Sequence, residues 1–156
     1  MEPRHATPTD AHEVVRLAAL MYSSMGLDAT GVAWRENATK MMTVRLGGDE
    51  VAVFVIDDPE SAGALAACGG VAVIQRLPGP NTPSGRWGYV QWISTEPRYQ
   101  RRGYARAIMD AILAWLEARG IQNVELHYTT QGEPLYRALG FADPHAPELR
   151  RQPPRK

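Results

Sequence analysis

A single cysteine, Cys68, stands among the 156 residues, so no intramolecular disulfide can form and the disulfide-stapled class is excluded. Net charge is missing too, because 17 Lys and Arg balance 17 Asp and Glu. Domains dedicated to nucleic acid are usually net basic, which disfavours that class and points to a small partner or a local patch. No CxxC, HExxH or GxxxxGK[ST] occurs, and the histidines (His5, His12, His127, His145) stand far apart. Zinc and P-loop chemistry therefore have no support, and no metal is expected. Long apolar runs are absent as well. The stretch Ala62 to Ile74 is too short to span a bilayer and is broken by Gly63, Gly69 and Gly70. The opening MEPRHATPTD lacks the apolar segment of a signal peptide. The expectation is a cytoplasmic protein with no membrane partner.

What is present is an ordinary globular mixture, 44% apolar and 22% charged. The length suits one domain over residues 1–156, with 150–156 as a frayed tail. Thr7-Pro8-Thr9-Asp10 reads as a helix opening, with Thr7 as cap and Asp10 as the capping-box acid. Val14, Leu17, Ala18 and Met21 follow at helical spacing, and Gly26 is the stop. A second helix is predicted between Gly31 and Leu46. Val51–Ile56, Leu65–Ile74 and Trp87–Thr95 read as strands, the last two separated by the Pro- and Gly-rich loop 77–85. From Gly103 to Gly120 the pattern is helical again, with Ala105, Ile108, Met109, Ile112, Trp115 and Leu116 on one face. Val124 to Thr129 alternates as a strand, Pro134–Leu139 is a short helix, and a final strand is expected after Phe141. The three consecutive strands should form an antiparallel meander. The strand–helix–strand unit from Trp87 to Thr129 should make a right-handed parallel crossover, giving a mixed α/β (α+β) sheet.

The stretch Gln100-Arg101-Arg102-Gly103-Tyr104-Ala105 sits between a strand end and a helix start. A helix's first turn has unpaired N–H groups and a positive dipole end, which suit phosphate. Gly103 removes a side chain where backbone must approach an anion. Arg98, Arg101, Arg102 and Arg106 concentrate guanidinium charge in the same place. A solvated basic turn is the plain alternative.

This hexapeptide matches [RQ]-x-x-G-x-[GA], and in that respect the chain resembles the GNAT acyltransferase superfamily. The lead-in Ile93-Ser94-Thr95-Glu96-Pro97-Arg98-Tyr99 resembles that family's strand end and turn. Pro134-Leu135-Tyr136-Arg137-Ala138-Leu139-Gly140-Phe141 resembles its last helix and closing strand. The resemblance is strongest over residues 87–141. It implies transfer of an acetyl group from acetyl-CoA, the co-substrate, to a primary amine of a small molecule or peptide, by direct attack in a ternary complex. A non-catalytic coenzyme A-binding sensor of the same fold is the alternative, and an anion- or nucleic-acid-binding domain a third.

The resemblance also assigns residues. Gln100, Arg101, Arg102, Gly103, Tyr104, Ala105 and Arg106 are expected at the pyrophosphate. Ile93, Ser94 and Thr95 are expected along the pantetheine arm, with the Ile93 amide polarising the thioester carbonyl. Tyr136 is expected to protonate the leaving thiolate, against the alternative of a core tyrosine with a satisfied hydroxyl. Thr129 stands where many relatives carry an Asn, and Gly132 follows it. The resemblance implies a bulge in the strand before the loop. Where several relatives place a Glu as base, this chain has Tyr89 and Gln91. His127 is a candidate substitute, although a histidine on that strand more often packs in a core. Glu96 reads as a cap. Tyr22, Asp28, Trp34, Glu36 and Trp87 are acceptor-side candidates by position, and a homodimer is left open.

Overall fold

The computed structural model describes residues 1–154, so 155 and 156 of the expected tail lie outside the described residues. Strand β2 (Val51–Asp57) sets the architecture. Its side chains alternate between two cores: Ala52, Phe54 and Ile56 on one face, Val53 and Val55 on the other. A strand buried on both faces needs cover on both sides of its sheet.

That cover comes from helices. α1 (Ala11–Ser24) inserts Val14 and Leu17 against Val53, Val55 and Cys68. α2 (Val32–Arg45) adds Met42 to the same core. On the opposite face α3 (Tyr104–Glu117) contributes Tyr104, Ile108, Met109, Ile112 and Leu116. α4 (Glu133–Ala138) brings Tyr136 and Leu135 to that second core. The predicted helical spacing in α1 and α3 corresponds to the buried stripes, except at half-buried Met21 and Ala105.

The sheet order is β1 (Arg4–His5), β2, β3 (Leu65–Gln75), β4 (Arg86–Thr95) and β5 (Val124–Leu126). The first three pairings are antiparallel and β4–β5 is parallel, as the meander and crossover predict. Three details differ from expectation. The N-terminal opening is a 3₁₀ turn over Pro8–Asp10, and α1 begins at Ala11, although the Asp10 carboxylate does accept the Thr7 N–H at 2.8 Å. β5 ends at Leu126 because β4 stops pairing with it at Val90. After Phe141 no strand forms among the described residues; Pro144 and Pro147 lack the N–H a ladder needs.

One buried charge fixes the approach to α3. The Asp58 side chain is 2% exposed and pairs with the Arg98 guanidinium. It accepts the Tyr99 hydroxyl at 2.6 Å and the Glu60 N–H at 2.8 Å. It thereby ties the end of β2 to the 3₁₀ turn Pro97–Tyr99 that leads into the helix. The Tyr99 hydroxyl, with the Glu60 amide and Arg98, outweighs burial and holds the Asp58 carboxyl at about 2. That lies below the unfolded value of about 3.9. The contribution is therefore full above about pH 4 and is lost as pH falls toward 2. Melting temperatures measured across this window should fall more steeply for the wild type than for Asp58→Asn. Parallel profiles would contradict this role.

Candidate active site

β4 does not run regularly. Cys68 opposes Ser94 and Gly70 opposes Gln91, so Trp92 and Ile93 together face Gly69 alone. This is a β-bulge, and Trp92 takes a φ of +62° within it. Below the bulge, the Glu96 N–H bonds to the Ala66 carbonyl at 2.8 Å. The alternation of an antiparallel ladder then turns the backbone N–H and C=O of Thr95 away from β3. On that side β5 has already ended, so β4 has an open edge from Gln91 to Thr95. The Gln100 side-chain amide reaches the Thr95 carbonyl at 3.4 Å.

The edge leads into the loop before α3. Gly103 has a φ of +87°, a conformation glycine adopts without steric cost, and a Cβ built there would meet nothing within 4 Å. Ala107 N–H bonds back to the Gly103 carbonyl at 3.1 Å. The amides of Tyr104, Ala105 and Arg106 precede the first intrahelical donor and have no helical acceptor. Arg101 also has a positive φ, +63°. Such backbone costs on the order of 1–3 kcal/mol per non-glycine residue. Trp92 and Arg101, the two non-glycine residues with positive φ among those described, both line the same cavity.

That cavity has a volume of about 650 Å³. It runs from Gln100, Arg101 and Gly103–Arg106 along Ile93, Ser94 and Thr95, past Thr129, Gly132 and Tyr136, to Tyr89, His127 and the end of α1. Twelve of the thirteen residues assigned from sequence are thus in its wall. The exception is Arg102, whose guanidinium lies 5.8 Å from the Tyr99 ring centroid instead. Arg98 is also diverted, because it neutralises buried Asp58. The expected cluster of four free guanidiniums therefore reduces to Arg101 and Arg106 on the wall. Ser94 contributes only backbone: its hydroxyl is spent on the Leu17 carbonyl of α1 at 2.7 Å.

Tyr136 is buried, and its ring meets Phe141 edge-on at 6.1 Å. Its hydroxyl has no hydrogen-bond partner in the described chain and is not sealed from solvent. A core tyrosine with a satisfied hydroxyl predicts the opposite. Burial pushes the phenol above its ordinary value, which keeps the proton on it at neutral pH. Gly132 makes room for the ring, since a Cβ there would stand 2.8 Å from Tyr136 Cε2. The Gly132 N–H contacts Thr129 Oγ1 at 3.3 Å, so the Thr129 hydroxyl already serves the turn before α4.

His127 is not a core residue. Its side chain is about half exposed; Nδ1 meets the Tyr89 hydroxyl at 2.7 Å, and Nε2 faces Arg150 at 2.6 Å and Glu148 at 3.4 Å. The sequence pattern missed this because β5 ends one residue earlier. Glu96 is held by Arg16 of α1 at 2.8 Å. Among the acceptor-side candidates, Tyr22 lines the cavity. Trp34 backs Tyr22 edge-on at 5.5 Å, Asp28 caps Thr30 in a separate depression, and Trp87 lies under Arg76. Glu36 is exposed on α2, off the cavity wall. Leu20, Met21 and Met25 on the wall were not singled out from sequence, because their helical spacing reads equally as core.

The family model for the acetyltransferase (GNAT) family matches residues 18–141. Among solved structures, a predicted acetyltransferase from Clostridium acetobutylicum, determined with acetyl-CoA, superposes with a TM-score of 0.82 at 22% identity, covering 96% of this chain and 95% of that one. A GCN5-related N-acetyltransferase from Ralstonia eutropha gives 0.81 at 28% identity, covering 96% and 97%. Glucosamine-6-phosphate N-acetyltransferase from Arabidopsis thaliana gives 0.74 at 16% identity, covering 96% and 97%. No curated protein matches the chain at a significant level.

Proposed function

The chain belongs to the GNAT acetyltransferase family, and from that premise we propose that it moves an acetyl group from acetyl-CoA to a primary amine of a small molecule or peptide by direct attack in a ternary complex. The observation that carries the reading is the continuity of one cavity from the free amides of α3, along the open edge of β4, to the unpaired Tyr136 hydroxyl.

Acetyl-CoA supplies a thioester whose carbonyl carbon is open to a nucleophile. Each stretch of the cavity has one task toward it. The Tyr104, Ala105 and Arg106 amides, with the Arg101 and Arg106 guanidiniums, hold the pyrophosphate at the positive end of the helix. The strained Arg101 and the bare Gly103 let backbone donors converge on it. Thr95 and Ile93 offer backbone groups to the pantetheine amides as a neighbouring strand would. The Ile93 N–H polarises the thioester carbonyl as the amine nitrogen bonds to its carbon. Tyr136 gives its proton to sulfur as the carbon–sulfur bond breaks.

The cavity wall carries no carboxylate among the described residues, and the His127 ring nitrogens are taken by Tyr89 and Arg150, so the amine's surplus proton leaves through water. Direct attack also fits the fate of Cys68. It is fully buried, burial pushes its thiol up to about 12, and its Sγ lies 3.3 Å from the Trp92 carbonyl, so it is no acyl-accepting nucleophile.

A ligand of the folded state stabilises it by about 2.7 kcal/mol at a hundredfold excess over its dissociation constant. Acetyl-CoA should therefore raise the melting temperature. ATP should raise it less, having phosphates for α3 but no arm for the β4 edge. Equal shifts would reduce the cavity to a general anion site.

A further inference from the structure

The two ends of the cavity differ in chemistry. At the α3 end the wall carries Arg101 and Arg106. The wall also carries Leu20, Met21 and Tyr22 on the last two turns of α1 and Met25 at its C-terminal cap, together with Tyr89 and Tyr128. Leu20, Met25 and Tyr128 are 39%, 45% and 47% exposed, so this apolar surface is left uncovered by the fold itself. It is continuous with the proposed acetyl-CoA channel, which makes the second substrate its natural occupant.

Charge narrows that occupant. No Asp or Glu lies on the cavity wall among the described residues. The carboxylates near this end are already engaged: Glu148 with Arg150 at 3.1 Å, Glu125 with Arg76, and Glu133, which accepts the Tyr128 hydroxyl, with Arg137 at 3.1 Å. Arg150 also places a guanidinium 2.6 Å from His127 at the rim. A substrate with several ammonium groups would bring its extra charges against thioethers and the Arg150 guanidinium, with no carboxylate on the wall to pair them. Burying a charge without a partner is strongly unfavourable. An amine with one nitrogen and an apolar body meets the opposite situation. It must shed its proton to react, and its body is covered by side chains that adapt to flat and branched shapes alike.

Resting on the acetyl-transfer reading, we propose that the acceptor is a primary monoamine with an apolar, uncharged aromatic or branched aliphatic body, and that Leu20 and Tyr22 of α1, with Met25 at its cap, select it. Polyamines, aminoglycosides and basic peptides are poor acceptors. The selection lies in KM, because these side chains touch the body and not the reacting nitrogen.

The test compares phenethylamine with spermidine at saturating acetyl-CoA, by release of free coenzyme A thiol. Binding of each amine to the acetyl-CoA complex is followed in parallel by saturation-transfer NMR. The expected kcat/KM is at least tenfold higher for phenethylamine. Met25→Asp, at the exposed C-terminal cap of α1, should lower that value about tenfold through KM and raise that for spermidine. Leu20→Asp should act in the same direction, which guards against one variant failing to fold. Faster reaction with spermidine, or loss of kcat without change in KM in both variants, would overturn the acceptor class while leaving acetyl transfer standing. Phenethylamine that binds the wild type, fails to bind Met25→Asp and is never acetylated would uphold this site and overturn the transfer reading. Absence of phenethylamine binding in the wild type would overturn the proposal outright.

Discussion

Tyr136→Phe should lower the rate of acetyl transfer by about 10²–10⁴-fold, the usual worth of a positioned general acid. Acetyl-CoA affinity should stay nearly constant, because the proton is delivered only as the carbon–sulfur bond breaks. The fold should also be nearly unaffected. The ring's packing against Phe141 and over Gly132 survives the change, and no group among the described residues loses a partner with the hydroxyl. This combination separates a proton donor from a packing residue, for which rate would hold. Steady-state thiol release, with calorimetry for acetyl-CoA, makes the measurement. Full activity toward a proven acceptor would remove Tyr136 from the mechanism.

Placing a negative charge at Gly103 should have the next largest effect. Its φ of +87° would strain most side chains, so a large substituent confuses charge with backbone. Asp and Asn both tolerate the left-handed region and have nearly the same shape. Gly103→Asp and Gly103→Asn therefore differ chiefly in charge. Open space within 4 Å of the built Cβ leaves room for either. If the α3 amides hold pyrophosphate, Gly103→Asp should weaken acetyl-CoA binding at least tenfold more than Gly103→Asn does. That ratio corresponds to about 1.4 kcal/mol. Equal affinities in the two variants, both folded, would move the phosphates elsewhere.

The legible parts of this protein are those set by local pattern. The 3.6-residue stripes of α1 and α3 and the continuous apolar runs of β2 and β3 read directly as elements, because each is amphipathic or buried on its own account. The loop from Gln100 to Arg106 was legible for a related reason: glycine, arginines and a helix start have a local meaning as an anion cradle. Distant partners were not. Nothing near Arg98 in sequence indicates that Asp58, 40 positions away, takes its charge. Arg102 looks equivalent to Arg101 until Tyr99 is placed beneath it. His127 was expected in a core because alternation was carried past the point where β4 and β5 separate, and that separation is a property of the pair. The apolar end of the cavity was hidden for the same reason. Leu20, Met21 and Met25 have the composition of a core stripe, and only the α1–β4 packing shows which of them remain uncovered.

The central claim is that one cavity holds acetyl-CoA and passes its acetyl group to an amine. The most direct measurement is the initial rate of coenzyme A thiol release, with acetyl-CoA fixed and phenethylamine varied, together with mass analysis of the amine. The predicted result is a rate that rises and saturates with amine and matches the rate of N-acetyl product formation. Tight acetyl-CoA binding with thiol release that is the same with and without every amine tried, and no acetylated product, would contradict it and leave a coenzyme A-binding domain that does not turn over.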